Sequence, residues 1–298
     1  MHLLPFVSSD RIAVLDGALE GIVSGRSTRA CLAEIYDTAG DLHVVHLKVS
    51  SPDKTALAGD VTRWLLGAAL GASISPQAYL CQVPAVMLDA LWPDIDWRDL
   101  WGHELIPGFA SESLPVASVS AITPHHDPQL QSALANWPDL LRTAALDEWG
   151  ANADDNLNNL LQIVTPDGQT DFATIDGSHF LGGDVWTHES IRALWPDRNG
   201  HKRHSKLLRA IHGATPPRDV LQGLIHVAQR HMPTLELVEP QLYFWLREML
   251  DDESLAHAVL DCLAIRTTLG WLQDRIDLQD AYSKKSGRTS GGLSVGAA

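Results

Sequence analysis

The sequence predicts an α+β fold in two lobes: a small N-terminal lobe over residues 1–102, with an antiparallel sheet and one helix, and a larger, mainly helical C-terminal lobe over 103–282. Three observations lead there. Short apolar runs of strand length, separated by turn residues, occupy the stretch from Ile22 to Val49. One longer run with helical spacing follows them. Beyond Trp186 the apolar positions recur at helical spacing through four successive runs. At 298 residues and 45% hydrophobic content the chain can bury the core such an architecture needs.

The elements follow in order. Ile22-Val23 leads into Ser24-Gly25-Arg26-Ser27-Thr28-Arg29, then an alternating run from Ala30 to Tyr36, the turn Asp37 to Asp41, and a further run from His43 to Val49. This reads as a three-stranded meander with a loop of small residues at its first corner. Backbone N–H groups from Ser24 to Thr28 can cradle phosphate oxygens, since Gly and Ser allow close approach. Lys48 stands in an otherwise apolar strand, in a chain with only 22 Lys and Arg. A helix is expected from Asp53 to Gly71, with Leu57, Val61, Trp64, Leu65, Ala68 and Ala69 on its apolar side and Gly71 just past its end. Asp60 lies in its first half. It is placed either to pair with Lys48 or to stand as a solvated helix-face carboxylate.

The segment 127–150 reads as helical, with Asp127 as N-cap and Pro128 at the first helical position, interrupted at Pro138. The helical runs after Trp186 cover 207–212, 220–230, 239–250 and 254–278, punctuated by Pro216-Pro217, Pro233 and Pro240. Trp149, Trp186, Trp195, Trp245 and Trp271 read as core residues. Residues 283–298, rich in Gly and Ser with little apolar content, read as a disordered tail.

The chemistry concentrates between these lobes. Asn152-Ala153-Asp154-Asp155-Asn156-Leu157-Asn158-Asn159 precedes two short apolar runs, Leu160–Val164 and Asp171–Ile175, joined by turn residues. Pairing Val164 with Asp171 puts Leu160 opposite Ile175 and Asn159 opposite Asp176. Cross-strand Cβ atoms lie about 5 Å apart, so an amide oxygen and a carboxylate would share one hard cation. Asp154, on the loop that enters the first strand, is placed to take a proton from a hydroxyl. Asn and Asp also crowd ordinary turns, so a plain polar loop is the competing reading. An EF-hand is excluded by Leu157 and Ile163 at the positions that need Gly and Glu. His125-His126-Asp127 is poor metal chemistry, because adjacent histidines do not chelate as an i,i+4 pair does.

Taken in order, Gly25-Arg26-Ser27-Thr28-Arg29, Val44-Val45-His46-Leu47-Lys48, Asn152-x-Asp154-x-x-x-x-Asn159 and Ile175-Asp176-Gly177-Ser178-His179-Phe180 resemble the HipA-like kinases, members of the protein-kinase and phosphoinositide-kinase fold. The resemblance spans about residues 21–183. It implies a two-lobed kinase with ATP in the cleft, Asp154 as catalytic base, and Asn159 and Asp176 as Mg²⁺ ligands. Lys48 would act on the phosphates and Asp60 would hold it. The crossover between lobes is then Trp101 to Gly108, with Glu104 and Leu105 offering main-chain groups to the adenine edge. This sequence departs from the family in three places: Asp155-Asn156 follows the catalytic acid, the helix acid is Asp60 where Glu is usual, and no Phe follows Asp176. Some members belong to toxin–antitoxin pairs, so an antitoxin-type partner is among the expectations.

Composition narrows the alternatives. A net charge of −15 opposes binding to a nucleic-acid backbone. The three cysteines, Cys31, Cys81 and Cys262, are far apart and off metal spacing. With no evident signal peptide and no apolar run long enough to span a bilayer, the expectation is a cytoplasmic protein without membrane contact. The reading is an Mg²⁺- and ATP-dependent phosphotransferase acting on a Ser/Thr hydroxyl of a protein. A nucleotide-binding pseudokinase or scaffold, and a kinase of small-molecule hydroxyls, are the alternatives.

Overall fold

In a computed structural model the chain is α+β, and residues 4–18, 28–53, 55–113, 116–118, 128–152, 159–164, 170–194, 206–213, 216–268 and 270–276 are described. Six strands, β1 (Phe6–Val7), β2 (Ile12–Ala18), β3 (Thr28–Tyr36), β4 (Leu42–Ser50), β5 (Ala78–Pro84) and β6 (Leu105–Glu112), form one sheet in the order β1-β5-β6-β4-β3-β2. β1 runs parallel to β5 and the other pairs are antiparallel. The strand preceding β3 is thus Ile12–Ala18, ten residues before the expected Ile22-Val23, which lie outside the described residues.

Period-two alternation gives the sheet two covered faces. Val45, Leu47 and Val49 of β4 join Cys31, Ala33 and Ile35 of β3 under α2 (Ala85–Leu91) and α3 (Trp97–Trp101), a wholly apolar layer. The other face carries Leu80 and Phe109 against α1 (Ala56–Leu70). Lys48 is on this second face, between its cross-strand partners Ala30 and Phe109.

Residues 101–108, read as the crossover, instead end α3 and open β6, so a boundary at 102 cuts the sheet before one of its strands. Residues from Leu105 form a strand because Ile106 and Ala110 alternate into the apolar layer, where a Cβ on Gly108 would lie 2.9 Å from Leu47 Cδ1.

A second sheet has the order β7-β8-β9, from Val116–Ser118, Leu160–Val164 and Thr170–Thr174. Its Leu160 and Phe172 share a core with α4 (Pro128–Ala135), α5 (Leu140–Trp149), α7 (Lys206–His212) and α8 (Arg218–Ala228), while α6 (His188–Ala193), α9 (His231–Leu250) and α10 (Glu253–Ile265) share the core of α1. The break at Pro138 is present; Asp127, the expected cap, lies outside the described residues. α9 runs through both prolines expected to punctuate it. Pro233 sits in the first turn, where a missing N–H costs nothing. Pro240 leaves the carbonyl of exposed Glu236 without its helical donor, and water can replace it. The expected helix 254–278 divides: α10 stops at Ile265, and helix resumes at 271–276 after Gly270 takes a positive φ of 88°.

α1 explains how the parts cohere. Its Ala- and Leu-rich sequence favours helix, and it ends at Gly71, whose φ of 73° turns its N–H back to the Gly67 and Ala68 carbonyls. Nearly every residue is buried, with Leu57, Val61 and Leu65 in the same core as Leu242 and Leu246 of α9. The helix is therefore covered by the six-stranded sheet on one side and by the helical region on the other. Trp149 and Trp186 are buried core residues, as expected. Among the described residues no helix is long and apolar enough to cross a membrane.

Candidate active site

Lys48 points from the α1 face of the sheet into a pair of carboxylates. Its Nζ donates to Asp60 Oδ1 and Oδ2 at 3.1 and 3.4 Å and to Asp176 Oδ1 at 2.8 Å. Asp60 also accepts the Gly177 N–H at 2.6 Å, and Asp176 Oδ1 accepts the Ser178 N–H at 3.0 Å. Three elements, β4, α1 and the segment after β9, thus meet at one ammonium group. They are separated by up to 128 residues in sequence.

The electrostatics divide the two acids. Burial alone would lower the Lys48 pKa, but Asp176 and Asp60 overcome it and hold the lysine above its usual range. Burial pushes Asp176 upward, yet Lys48 and the Ser178 contacts win and keep its carboxyl well below the usual carboxylate range. For Asp60 burial prevails over the pull of Lys48, with Asp176 adding to it, and its pKa is raised. Asp60 is the sealed partner, with its side chain 2% exposed, whereas that of Asp176 is 27% exposed. Asp176 is thus an ionised carboxylate with access to a ligand.

The approach of α1 to this segment is close. A Cβ on Gly59 would lie 2.5 Å from the Gly177 carbonyl oxygen, so only glycine permits the contact. Asp176 itself has φ of 69°, a left-handed conformation that a non-glycine residue adopts only when its neighbours hold it.

The hairpin register differs by one residue from the expected one. Val164 pairs with Thr170 and Leu160 with Thr174, because the connection is 165–169. This register puts Leu160 and Phe172 on one face, where both enter the core beside Trp137; a one-residue slip would move them to opposite faces. Asn159 therefore lies opposite Ile175, whose N–H it accepts at 2.8 Å, and Asp176 is the next residue. The two candidate metal ligands remain one residue apart at the open end of the hairpin.

Of the expected site residues, Lys48, Asp60 and Asp176 converge, with Asn159 adjacent. Thr28 opens β3 opposite Ser50, two residues along from the Ala30–Lys48 pair and on the same face. Asp154 and the loop residues Ser24, Gly25, Arg26 and Ser27 lie outside the described residues. Glu104 and Leu105 are not brought to the cluster. Leu105 is four residues along β6 from Phe109, the partner of Lys48, about 13 Å at strand rise. The Glu104 carbonyl accepts from Ala85 N–H, and its exposed carboxylate lies 3.6 Å from Arg98.

Sequence reasoning missed Arg63 and the Gly59–Gly177 contact. Arg63 is 4% exposed on α1, with Nη2 donating to Thr174 Oγ1 at 2.8 Å and lying 3.6 Å from Asp147 Oδ1. An arginine three residues after Asp60 in a largely apolar helix was the available signal.

The donor set suits Mg²⁺ delivered with phosphates. Among the described residues no three His, Cys, Asp or Glu side chains form an all-protein cage. Mg²⁺ does not need one, since it takes one or two protein ligands and completes its octahedron with phosphate and water. Asp176 supplies an anionic oxygen. The buried Asn159 side-chain nitrogen has no hydrogen-bond partner among the described residues, and a half-turn of the amide presents its oxygen at the same place.

No protein-family model matches the sequence, and none of the curated proteins does. Among solved structures, the chain path is similar to that of a Helicobacter pylori proinflammatory kinase, CtkA, with a TM-score of 0.44 and 10% identity over 94% of this chain and 99% of that one.

Proposed function

We propose that the protein is a phosphotransferase that uses ATP and Mg²⁺, with a protein Ser/Thr hydroxyl as acceptor, in the manner of the HipA-like kinases it resembles. The observation that carries this is Lys48 held by both Asp60 and Asp176, from a strand, a helix and the end of a hairpin. A largely covered lysine with two acids is costly unless its charge is used or fully compensated.

In this reading Asp60 keeps the Lys48 ammonium charged and extended, so that it can neutralise the phosphates next to the transferred group. Asp176 and Asn159 would hold Mg²⁺, which when bound offsets negative charge on the phosphate oxygens. The loop Ser24–Thr28 would close on the same phosphates. Asp154 would accept the proton as the acceptor oxygen bonds to the γ-phosphorus and the bond to ADP breaks. The two lobes of such an enzyme would be the six-stranded sheet and the helices from α4 onward. The chain leaves the sheet after Glu112, where a main-chain adenine contact would then lie in place of Glu104 and Leu105. A cytoplasmic location and an antitoxin-type partner belong to the same proposal.

The test is incubation with ATP and Mg²⁺, followed by intact-mass and peptide mass spectrometry of the protein and of added acceptors. Addition of phosphate to Ser or Thr is expected. A thermal shift by ATP and Mg²⁺ without transfer to any protein would favour the pseudokinase, for which Asp155-Asn156 and the short Asp60 speak. Transfer only to small hydroxyl compounds would move the substrate class.

A further inference from the structure

We propose that Arg63 is a positioning residue of this site, a buried guanidinium that clamps the segment carrying Asp176 onto α1. The proposal rests on the phosphotransferase reading for its consequence, though the clamp itself can be tested without it.

Arg63 follows Asp60 by three residues, so both lie on the same side of α1. Its Nη2 donates to Thr174 Oγ1 at 2.8 Å, two residues before Asp176, and that hydroxyl in turn donates to the Ser73 carbonyl at 3.3 Å. Its stem lies against Gly177, one residue after Asp176. A Cβ there would be 2.8 Å from Arg63 Cβ and 3.0 Å from Cδ. One side chain therefore grips the chain on both sides of Asp176, whose left-handed φ of 69° needs such restraint. The same guanidinium lies 3.6 Å from Asp147 Oδ1, which also accepts the Asn152 side-chain N–H at 3.2 Å. Arg63 thus connects the acid-bearing helix, the end of β9 and the last turn of α5. A planar fork with several donors can reach Thr174 and Asp147 together, whereas a lysine offers one point charge.

The experiment uses the full chain with three substitutions: Thr174→Val, which keeps the shape and removes the acceptor; Thr174→Ser, which keeps the hydroxyl; and Arg63→Lys. Two quantities are read, the amide exchange rates of Gly177 and Ser178 in the nucleotide-free protein, and the Mg²⁺ concentration that half-saturates the ATP-dependent thermal shift. Thr174→Val and Arg63→Lys are expected to speed those two amides and raise the Mg²⁺ midpoint, each by about five-fold, as for loss of one hydrogen bond. Thr174→Ser should stay within about two-fold of the parent. Exchange in the α1 interior should not change. Unchanged exchange at Gly177 and Ser178 in Thr174→Val would overturn the clamp, as would a uniform acceleration across α1, which marks a purely structural role. If the parent shows no Mg²⁺-dependent response to ATP, the phosphotransferase reading fails while the exchange rates still decide the role of Arg63.

Discussion

Two buried charge clusters in this protein differ in one respect that separates chemistry from architecture. In the helical region Arg266, 1% exposed, donates to the main-chain carbonyls of Trp149 and Glu148 at 2.6 Å each and of Leu194 at 3.1 Å, while its guanidinium lies over the Trp271 ring. Burial pushes its pKa down to about 10, and it stays charged. Beside it Arg275 meets Glu148 at 2.7 Å, and neutral His231, its pKa lowered to about 3 by burial, stacks on Trp149. All three of these Arg266 contacts end on main-chain carbonyls of the protein itself. In the Lys48 cluster the cation is shared by two side-chain acids, and one of them, Asp176, keeps an exposed portion. Burial of charge is common to both; an ionised oxygen left within reach of a ligand belongs to the second alone.

The contrast can be broken or sharpened by substitution. Arg266→Met removes the guanidinium donors from the Trp149, Glu148 and Leu194 carbonyls, of which Glu148 keeps the Ala151 N–H, and should cost about 3–5 kcal/mol, read as a lower urea midpoint, with phosphate transfer per folded molecule retained. Lys48→Met should do the reverse. Transfer should fall by about 10²- to 10³-fold, as for loss of one preorganised charge, with folding retained by circular dichroism. If both substitutions lower stability and activity alike, the two clusters are not distinct in kind. Gly59→Ala forces a methyl group against the Gly177 carbonyl and should cost about 1–3 kcal/mol while weakening nucleotide binding by displacing Asp60.

A smaller effect concerns pH. The folded-state pKa of Asp176 is depressed, so its stabilising contribution is present above the unfolded value of about 3.9 and is lost as pH falls through the folded value. The stability gap between the parent and Asp176→Asn should accordingly be constant near neutrality and shrink below about pH 4, measured by urea unfolding across that range. A gap that widened on acidification would contradict the assignment. Glu104→Ala should have the least effect, within about 0.5 kcal/mol, because its partner Arg98 is exposed and 3.6 Å away. A loss of nucleotide affinity there would restore Glu104 to the site.

Much of this cluster was legible before folding was considered. Lys48 and Asp60 lie on the strand and the helix that their local patterns predict, and Asp176 follows the predicted hairpin one register position away from the expected place. β3 and β4 extend only a residue or two beyond the expected runs, and α1 ends at the expected glycine. What was not legible depends on distant packing. The hairpin register is decided by Leu160 and Phe172 sharing one face of a core with Trp137, which the turn sequence does not encode. β6 begins inside the stretch that the family resemblance makes the crossover, and it is a strand because Ile106 and Ala110 reach an apolar layer built by distant residues. Gly108 is there so that Leu47 and the Lys48 carbonyl can approach. The role of Arg63 exists only once Thr174, more than a hundred residues later, lies beside it.

The most direct measurement is a calorimetric titration of ATP into the parent protein and Lys48→Met, each with and without Mg²⁺. Mg²⁺-dependent binding to the parent, with loss of about ten-fold or more in affinity for Lys48→Met, is the expected result for a charge that meets phosphate. Equal binding by both proteins, or no binding by either, would mean that the ammonium group between Asp60 and Asp176 is only part of the architecture.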